Sequence, residues 1–312
     1  MIESTKSGSS DNNERTFNPE PGSRIFFVGI GGISMCGLAE LAMHYGYPVS
    51  GSDKHLPPRV SRLTEQGATL YRTHDKSNII SFSPDVLVHT AAILPGNPEI
   101  EYAKEIGIPI VSRAEFLGWL TRKFSKVINI SGTHGKTTTS SMIALILEQA
   151  GLHPTLAIGG ELCDIGVNAK LGDGPYMVAE LDESDGSFEK FHPDIAVVTN
   201  ADWDHVNHYP TFESVLEAFT RFTSNPKDGG LLVLCGEDAG LGKILAAGPL
   251  PREAVTYGWG MGWTWGAFNV KHNHGGGVSF SIAHEGVHID DMELSVSGDH
   301  NILNALAACA VA

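Results

Sequence analysis

The sequence predicts an α/β protein: a Rossmann-like parallel-sheet domain followed by a P-loop-type α/β domain with a β-rich extension. Three observations predict it. Short apolar, β-branched runs alternate with helical patterns between residues 24 and 112, the rhythm of a doubly wound parallel sheet. The run VINI at residues 127–130 leads into Gly132-Thr133-His134-Gly135-Lys136 and a helical pattern carrying Met142, Ile143, Ile146 and Leu147, which reads as strand, loop and helix. Two acidic clusters close later strands, Glu180 with Asp182-Glu183-Ser184-Asp185, and Asp202-Trp203-Asp204-His205. In open α/β sheets ligands sit beyond the carboxyl ends of strands, where both clusters fall.

A chain of 312 residues is long for one domain, and we expect a first domain over residues 24–122 and a second over 123–312. Residues 1–23 are polar, rich in Ser, Asn, Glu and Pro, and are expected to form a disordered arm. They lack the apolar stretch of a signal peptide. Lys and Arg number 21 against 36 Asp and Glu, a net charge of -15, which argues against nucleic acid as a partner. A polyphosphate would have to be held locally, by amides, lysine and metal. Cys36, Cys163, Cys235 and Cys309 stand far apart, which suggests reduced thiols in a cytosolic protein. No run reaches the 18 or so apolar residues of a membrane helix.

In the first domain, residues 24–28 (RIFFV) form a buried strand closed by Gly29-Ile30-Gly31-Gly32. A helix over about 34–45, a strand at 48–50 and Asp53 complete the dinucleotide-binding layout. The GxGxxG pattern fails at its third glycine, where Ser34 stands, so the turn points to a phosphate or pyrophosphate without specifying nicotinamide. A tight turn with no ligand is the alternative. Strands at 68–71, 86–90 and 109–112 and a helix around 98–106 continue the alternation, and Arg122-Lys123 marks the boundary.

The second domain opens on the phosphate loop. Its glycines let the backbone approach an anion, the N–H groups of Gly132 to Thr138 face it, Lys136 adds a point charge and the Thr137 hydroxyl suits Mg²⁺. A full P-loop would need glycine where Ile130 stands, so this is a shorter loop. Strands at 176–179 and 195–199 deliver the acidic clusters, and Phe212, Leu216, Phe219 and Phe222 mark an amphipathic helix. Trp259, Trp263 and Trp265 lie in a β-looking region with strands near 231–234, 278–282 and 287–289. They read as side chains covering a sheet, with stacking on a base as the alternative. The chain ends inside an Ala-rich helical pattern after Gly298-Asp299-His300, so a further domain is expected beyond residue 312. Glu180 and His205 could ligate a second metal bridging a γ-phosphate and an acceptor oxygen.

GTHGKTTT, AELDESDGSF, VVTNADWDHVNHY and GDHNILNALAA, in this order and preceded by FFVGIGGISMCGLAEL and VSGSD, resemble the Mur ligases. The resemblance covers residues 24–312 and is strongest to the UDP-N-acetylmuramate:L-alanine branch. It implies a bacterial, cytoplasmic, ATP- and Mg²⁺-dependent amide-forming enzyme of peptidoglycan precursor synthesis, built of three domains of which the third is absent here. It also implies UDP-N-acetylmuramate on the Gly29-Ile30-Gly31-Gly32 turn, with Asp53 near the uridine and Arg113 in a further matching segment. Lys136, Thr137, Glu180 and His205 become the phosphate, catalytic and metal residues, and Asn301 and Asn304 contact adenine. The reaction implied runs through an acyl phosphate that the amine of L-alanine attacks.

Trp203 and Val206-Asn207 depart from the family pattern beside His205, which bears on acceptor specificity. With the third domain missing, the chain alone is expected to bind without ligating. Three other readings compete: a murein tripeptide recycling ligase, a non-catalytic UDP-sugar or nucleotide-binding protein, and a nicotinamide dehydrogenase.

Overall fold

A computed structural model describes residues 17–162, 167–184, 186–273 and 276–312. Among these residues two sheets carry the fold. The first has five strands, β1 (Ile25–Val28), β2 (Val49–Ser52), β3 (Thr69–Tyr71), β4 (Val86–His89) and β5 (Ile110–Ser112), in the order β3-β2-β1-β4-β5. All its pairings are parallel. Side chains alternate across a strand, so β1 feeds both faces. Phe27 packs edge-on to Phe116 of α5 (Arg113–Thr121), in one core with α1 (Ile33–His44). Phe26 and Val28 pack with Ile79 of α3 (Lys76–Phe82) and Ala103 of α4 (Pro98–Glu105) in a second core. The short α2 (Ser61–Glu65) completes the α1 side. Strand order reverses at β1, so the crevice between the ends of β1 and β4 is the switch point where ligands collect.

The second sheet has ten strands. Its centre is parallel: β6 (Lys126–Ser131) lies between β9 (Tyr176–Glu180) and β10 (Ile195–Val198), with β11 (Leu231–Cys235) and β12 (Glu253–Trp259) beyond β10. On the other side β7 (Thr155–Leu162) pairs parallel with β9 and antiparallel with β8 (Val167–Lys170). The β-rich extension continues this same sheet as β13 (Trp265–His272), β14 (Val278–His284) and β15 (Val287–Leu294). Trp263 serves packing: its ring fills the space above Gly236 and Gly258, and its Nε1 donates to Glu237 at 2.8 Å. This is the covering role; the ring does not stand as a free platform for a base.

Helices α6 (Lys136–Gln149) and α9 (Asp299–Val311) pack on each other, and α9 also lies on β11, β12 and β13. Helix α7 (Phe212–Phe222) starts at a Thr211/Ser214 capping box and buries Phe219 and Phe222 against Phe188. Helix α8 (Ala239–Ala246) packs beside it. The two sheets meet where α1 lies on β7 and β8.

The expected disordered arm divides. Residues 1–16 lie outside the described residues, as do Cys163 and Asp185 of the other sequence expectations. From Phe17 onward the arm belongs to the fold: Phe17 packs on Phe116 and Trp119, and Asn18 accepts from Trp119 Nε1 at 3.2 Å. An aromatic side chain within the polar run supplied the apolar area that composition averages hide. Cys36, Cys235 and Cys309 are free thiols.

Candidate active site

Three strand ends of the second sheet converge. The loop from Gly132 to Gly135 follows β6, Glu180 closes β9, and Thr199-Asn200 follows β10. Gly132 has φ 134° and Gly135 φ 81°, backbone that glycine tolerates. A Cβ on Gly132 would stand 2.1 Å from Thr199 Oγ1, and one on Gly135 2.6 Å from Asn304 Oδ1. The loop is clamped from β10: His134 N donates to Asn200 Oδ1 at 2.8 Å, and Thr199 Oγ1 and Asn200 Nδ2 donate to His134 O at 2.6 and 2.9 Å. Thr133 N donates to Asn200 O at 3.3 Å. The amides of Thr133 and His134 are therefore engaged, and those of Lys136, Thr137 and Thr138, in the first turn of α6, are the ones without intrahelical acceptors. A groove of about 360 Å³ is lined by Thr133, His134, Gly135, Lys136, Thr137, Thr138 and Glu180, the expected phosphate residues.

Lys136 Nζ donates to Gly132 O at 2.6 Å, to Thr133 O at 3.3 Å and to Glu183 Oε2 at 2.8 Å. Glu183 is buried, and its other oxygen, Oε1, lacks a hydrogen bond, with His205 Nε2 standing 3.4 Å away. His205 itself holds φ 53°. Thr137 Oγ1 donates to Glu180 Oε2 at 2.9 Å, so a hydroxyl and a carboxylate sit together as hard oxygen donors. That donor set suits Mg²⁺, which takes one or two protein oxygens and leaves the rest to phosphates and water. Among the described residues no group of three or more His, Cys, Asp or Glu is placed to hold a metal unaided. Glu180 is therefore placed with Thr137, while His205 faces Glu183.

Asn301 and Asn304 lie behind the loop. Both are buried on α9, Asn304 Oδ1 accepting from Thr139 at 3.2 Å and Asn304 Nδ2 donating to Asn301 Oδ1 at 3.2 Å. They brace α6, and neither lines the groove.

In the first domain the glycine turn is satisfied from within. Gly29 N and Ile30 N donate to Ser52 O at 2.8 and 3.2 Å, Gly32 N to Gly29 O at 3.2 Å, and Gly31 N to Asp53 Oδ2 at 3.0 Å. Gly31 answers to a close backbone approach, because a Cβ there would meet His55 O at 2.2 Å. Asp53 closes the turn and also lines a cavity of about 890 Å³ with Gly29, Gly32, Lys54, Arg72 and His74. Beneath it the fully buried Glu99 accepts from Ser52 Oγ at 2.6 Å and Asn78 Nδ2 at 2.7 Å, with His74 Nδ1 at 2.9 Å.

Arg113 is elsewhere. It starts α5, after a Ser112/Glu115 capping box, and lines a different cavity of about 460 Å³ between the two sheets, with Ser34, Lys136, Glu180, Asp182 and His205. Its Nη2 lies 3.4 Å from Asp182 Oδ2. Burial would raise the Asp182 carboxyl, but hydrogen bonds from Ser184 and the Arg113 and Lys136 charges outweigh it and hold it below the usual range. Sequence reasoning gave no role to Glu183, Thr199 and Asn200 around the loop, or to Lys54, Arg72 and His74 in the first cavity. All six follow strand ends, which was the available signal.

A phosphate loop, a strand-end glutamate and a switch-point cavity in a preceding domain form a specific combination, and comparison with known families decides what it is. The model of the Mur ligase family catalytic domain matches residues 24–125, and that of the Mur ligase middle domain matches residues 130–312. The chain belongs to the Mur ligase family. Similar relatives include UDP-N-acetylmuramate–L-alanine ligases of Caldanaerobacter subterraneus, 39% identical over 92% of this chain, and Desulfosudis oleivorans, 43% identical over 92%. The chain spans 62% of the length of each of these Mur ligases. Among solved structures, UDP-N-acetylmuramate-alanine ligase of Thermotoga maritima superposes with a TM-score of 0.81 at 30% identity, covering 93% of this chain and 64% of that one. The UDP-N-acetylmuramate:L-alanyl-gamma-D-glutamyl-meso-diaminopimelate ligase of Neisseria meningitides superposes with 0.83 at 30%, covering 92% of each chain. Membership in this family leaves the dehydrogenase reading without support.

Proposed function

We propose that the chain carries the acceptor- and ATP-binding machinery of an ATP-dependent ligase that joins L-alanine to the lactoyl carboxylate of UDP-N-acetylmuramate in the bacterial cytoplasm. The observation that carries this reading is the cavity between the sheets, which brings Lys136 and Glu180 of the phosphate loop together with Ser34 and Arg113 of the first domain. Phosphate donor and sugar acceptor would meet there. In the first cavity Lys54 and Arg72 supply the positive charge for a diphosphate, since the turn amides are already engaged.

The first amides of α6 and Lys136 would hold the triphosphate, with the helix N-terminus favouring its charge. The lactoyl carboxylate attacks the γ-phosphorus, ADP leaves, and the acyl phosphate formed is then attacked by the amine of L-alanine, expelling phosphate. Without that activation the carboxylate would have to expel oxide. Thr137 and Glu180 would hold Mg²⁺, which neutralises charge on the transferring phosphoryl group when bound. When Lys136 turns to a phosphate it gives up Glu183, and the His205 ring, 3.4 Å from Glu183 Oε1, remains beside that carboxylate.

The L-alanine and murein tripeptide ligases are matched almost equally in structure, but identities of 39–43% to L-alanine ligases favour the first. The deciding experiment extends the chain to the length of those relatives and measures phosphate release with ATP and UDP-N-acetylmuramate. Release dependent on L-alanine is expected. Release only with tripeptide would transfer the assignment to the recycling ligases, and nucleotide binding without release under either condition would favour the non-catalytic reading.

A further inference from the structure

Sequence resemblance grouped Arg113 with the glycine turn as a contact to the UDP-sugar, but the structure separates them. The cavity holding Gly29, Gly32 and Asp53 does not include Arg113, which lines the cavity between the sheets with Lys136. Both cavities border the start of α1, the first through Gly32 and the second through Ser34 and Gly37. A ligand whose diphosphate fills the first cavity passes Ser34 to put its far end in the second.

Lys136, Arg113 and the His205 ring line that second cavity, and they differ in commitment. Lys136 is held by a buried carboxylate and two carbonyls, and His205 stands beside the same carboxylate. Arg113 has one partner among the described residues, a single Nη2 contact of 3.4 Å to Asp182, at the long limit of a hydrogen bond. Asp182 is itself half exposed to water, while the Arg113 side chain is 19% exposed. A mostly covered guanidinium with most of its donors uncommitted is suited to bidentate capture of a planar oxyanion.

We propose that Arg113 is the positioning residue for the acceptor's free carboxylate, holding the lactoyl group of UDP-N-acetylmuramate in the cavity that Lys136 shares. The assignment rests on the UDP-sugar reading above and adds what selects the sugar. The first cavity has no reason to distinguish UDP-N-acetylmuramate from UDP-N-acetylglucosamine, which has the same nucleotide and no lactoyl carboxylate. Discrimination falls to Arg113, which exchanges Asp182 for the ligand. Held by Arg113, the carboxylate stays close to Lys136, where the γ-phosphate is expected, so the same contact that selects the acceptor orients it for attack.

The test is calorimetric titration of the chain and of its Arg113→Met and Arg113→Lys variants with both sugar nucleotides, with urea unfolding as the control for folding. A charge-assisted bidentate contact corresponds to about 10- to 100-fold in affinity. Wild type should prefer UDP-N-acetylmuramate by that factor. Arg113→Met should lose the preference while binding UDP-N-acetylglucosamine as wild type does, and Arg113→Lys should keep part of it. If wild type discriminates and Arg113→Met discriminates equally, the assignment is overturned and the UDP-sugar reading stands. If Arg113→Met weakens both sugars alike, Arg113 supports the binding of the shared nucleotide part and the assignment is again overturned. Wild type binding neither sugar overturns both.

Discussion

Gly132 leaves β6 at φ 134°, and a Cβ built there would stand 2.1 Å from Thr199 Oγ1, the hydroxyl that clamps His134 O at 2.6 Å. Gly132→Ala therefore carries two separable costs. Holding a residue with a side chain in that backbone region costs on the order of 1–3 kcal/mol. Thr199 must also move away and give up a hydrogen bond worth roughly 0.5–1.5 kcal/mol. The sum, about 1.5–4.5 kcal/mol, is a large share of the roughly 5–15 kcal/mol that stabilises an ordinary domain, so the variant should fold with a loosened loop. In a Thr199→Ala background the clash with Oγ1 disappears while the backbone strain and the 3.1 Å approaches to Asn200 N and O remain, so the same substitution should cost about 1 kcal/mol less there. Urea unfolding of the four proteins in this cycle measures both quantities. Titration with ATP and Mg²⁺ should show at least about tenfold weaker nucleotide binding in Gly132→Ala, the equivalent of about 1.4 kcal/mol. A cost below about 0.5 kcal/mol in both backgrounds, the range of an ordinary surface change, would refute the claim that this loop is held by steric exclusion from β10.

Two further outcomes follow from charges in the structure. Lys136→Met removes the partner of Glu183, whose side chain is 3% exposed, and breaking a buried pair from one side costs roughly 3–5 kcal/mol, the low end applying here because Lys136 is partly exposed. Adding Glu183→Gln removes the stranded charge, so the double variant should unfold at higher urea than Lys136→Met alone, and equal midpoints would show that the pair carries no such burden. Burial, with the Glu40 charge nearby, pushes the Cys36 thiol up from 9.0 to about 12. The folded chain then keeps a proton that the unfolded chain releases, so this contribution to stability is whole below pH 9 and falls as pH rises towards 12. Melting temperature should drop more steeply between pH 8.5 and 10.5 in wild type than in Cys36→Ala, roughly the window in which only the unfolded thiol ionises; parallel slopes would contradict it.

The parts of the molecule that were legible in the sequence are those whose physics is local. Strands β1, β6, β9, β10 and β11 are buried on both faces, so each carries a mainly apolar run, broken inside β6 by the buried Asn129. Lys136, Thr137 and Glu180 could be found because each stands at the carboxyl end of such a run. Helix α5 was passed over even though Ser112 and Glu115 carry the capping-box spacing, because Ser112 was read only as the end of the strand at 109–112. The pairing of β12 with β13 could not be foreseen: they run parallel, Tyr257 beside Trp265, across a connection far shorter than a usual crossover. The residues left without a role around the site share one property, that their partners are distant in the chain. Glu183 meets Lys136 across 47 positions and Asn200 meets His134 across 66, distances that only the strand order β10-β6-β9 closes. The same order explains why Arg113 was grouped with a glycine turn whose cavity it does not line. A motif shows which backbone turns toward a ligand, but Arg113 is assigned to one cavity and not the other by how α1 and α5 lie against the second sheet, and no window of sequence contains that packing.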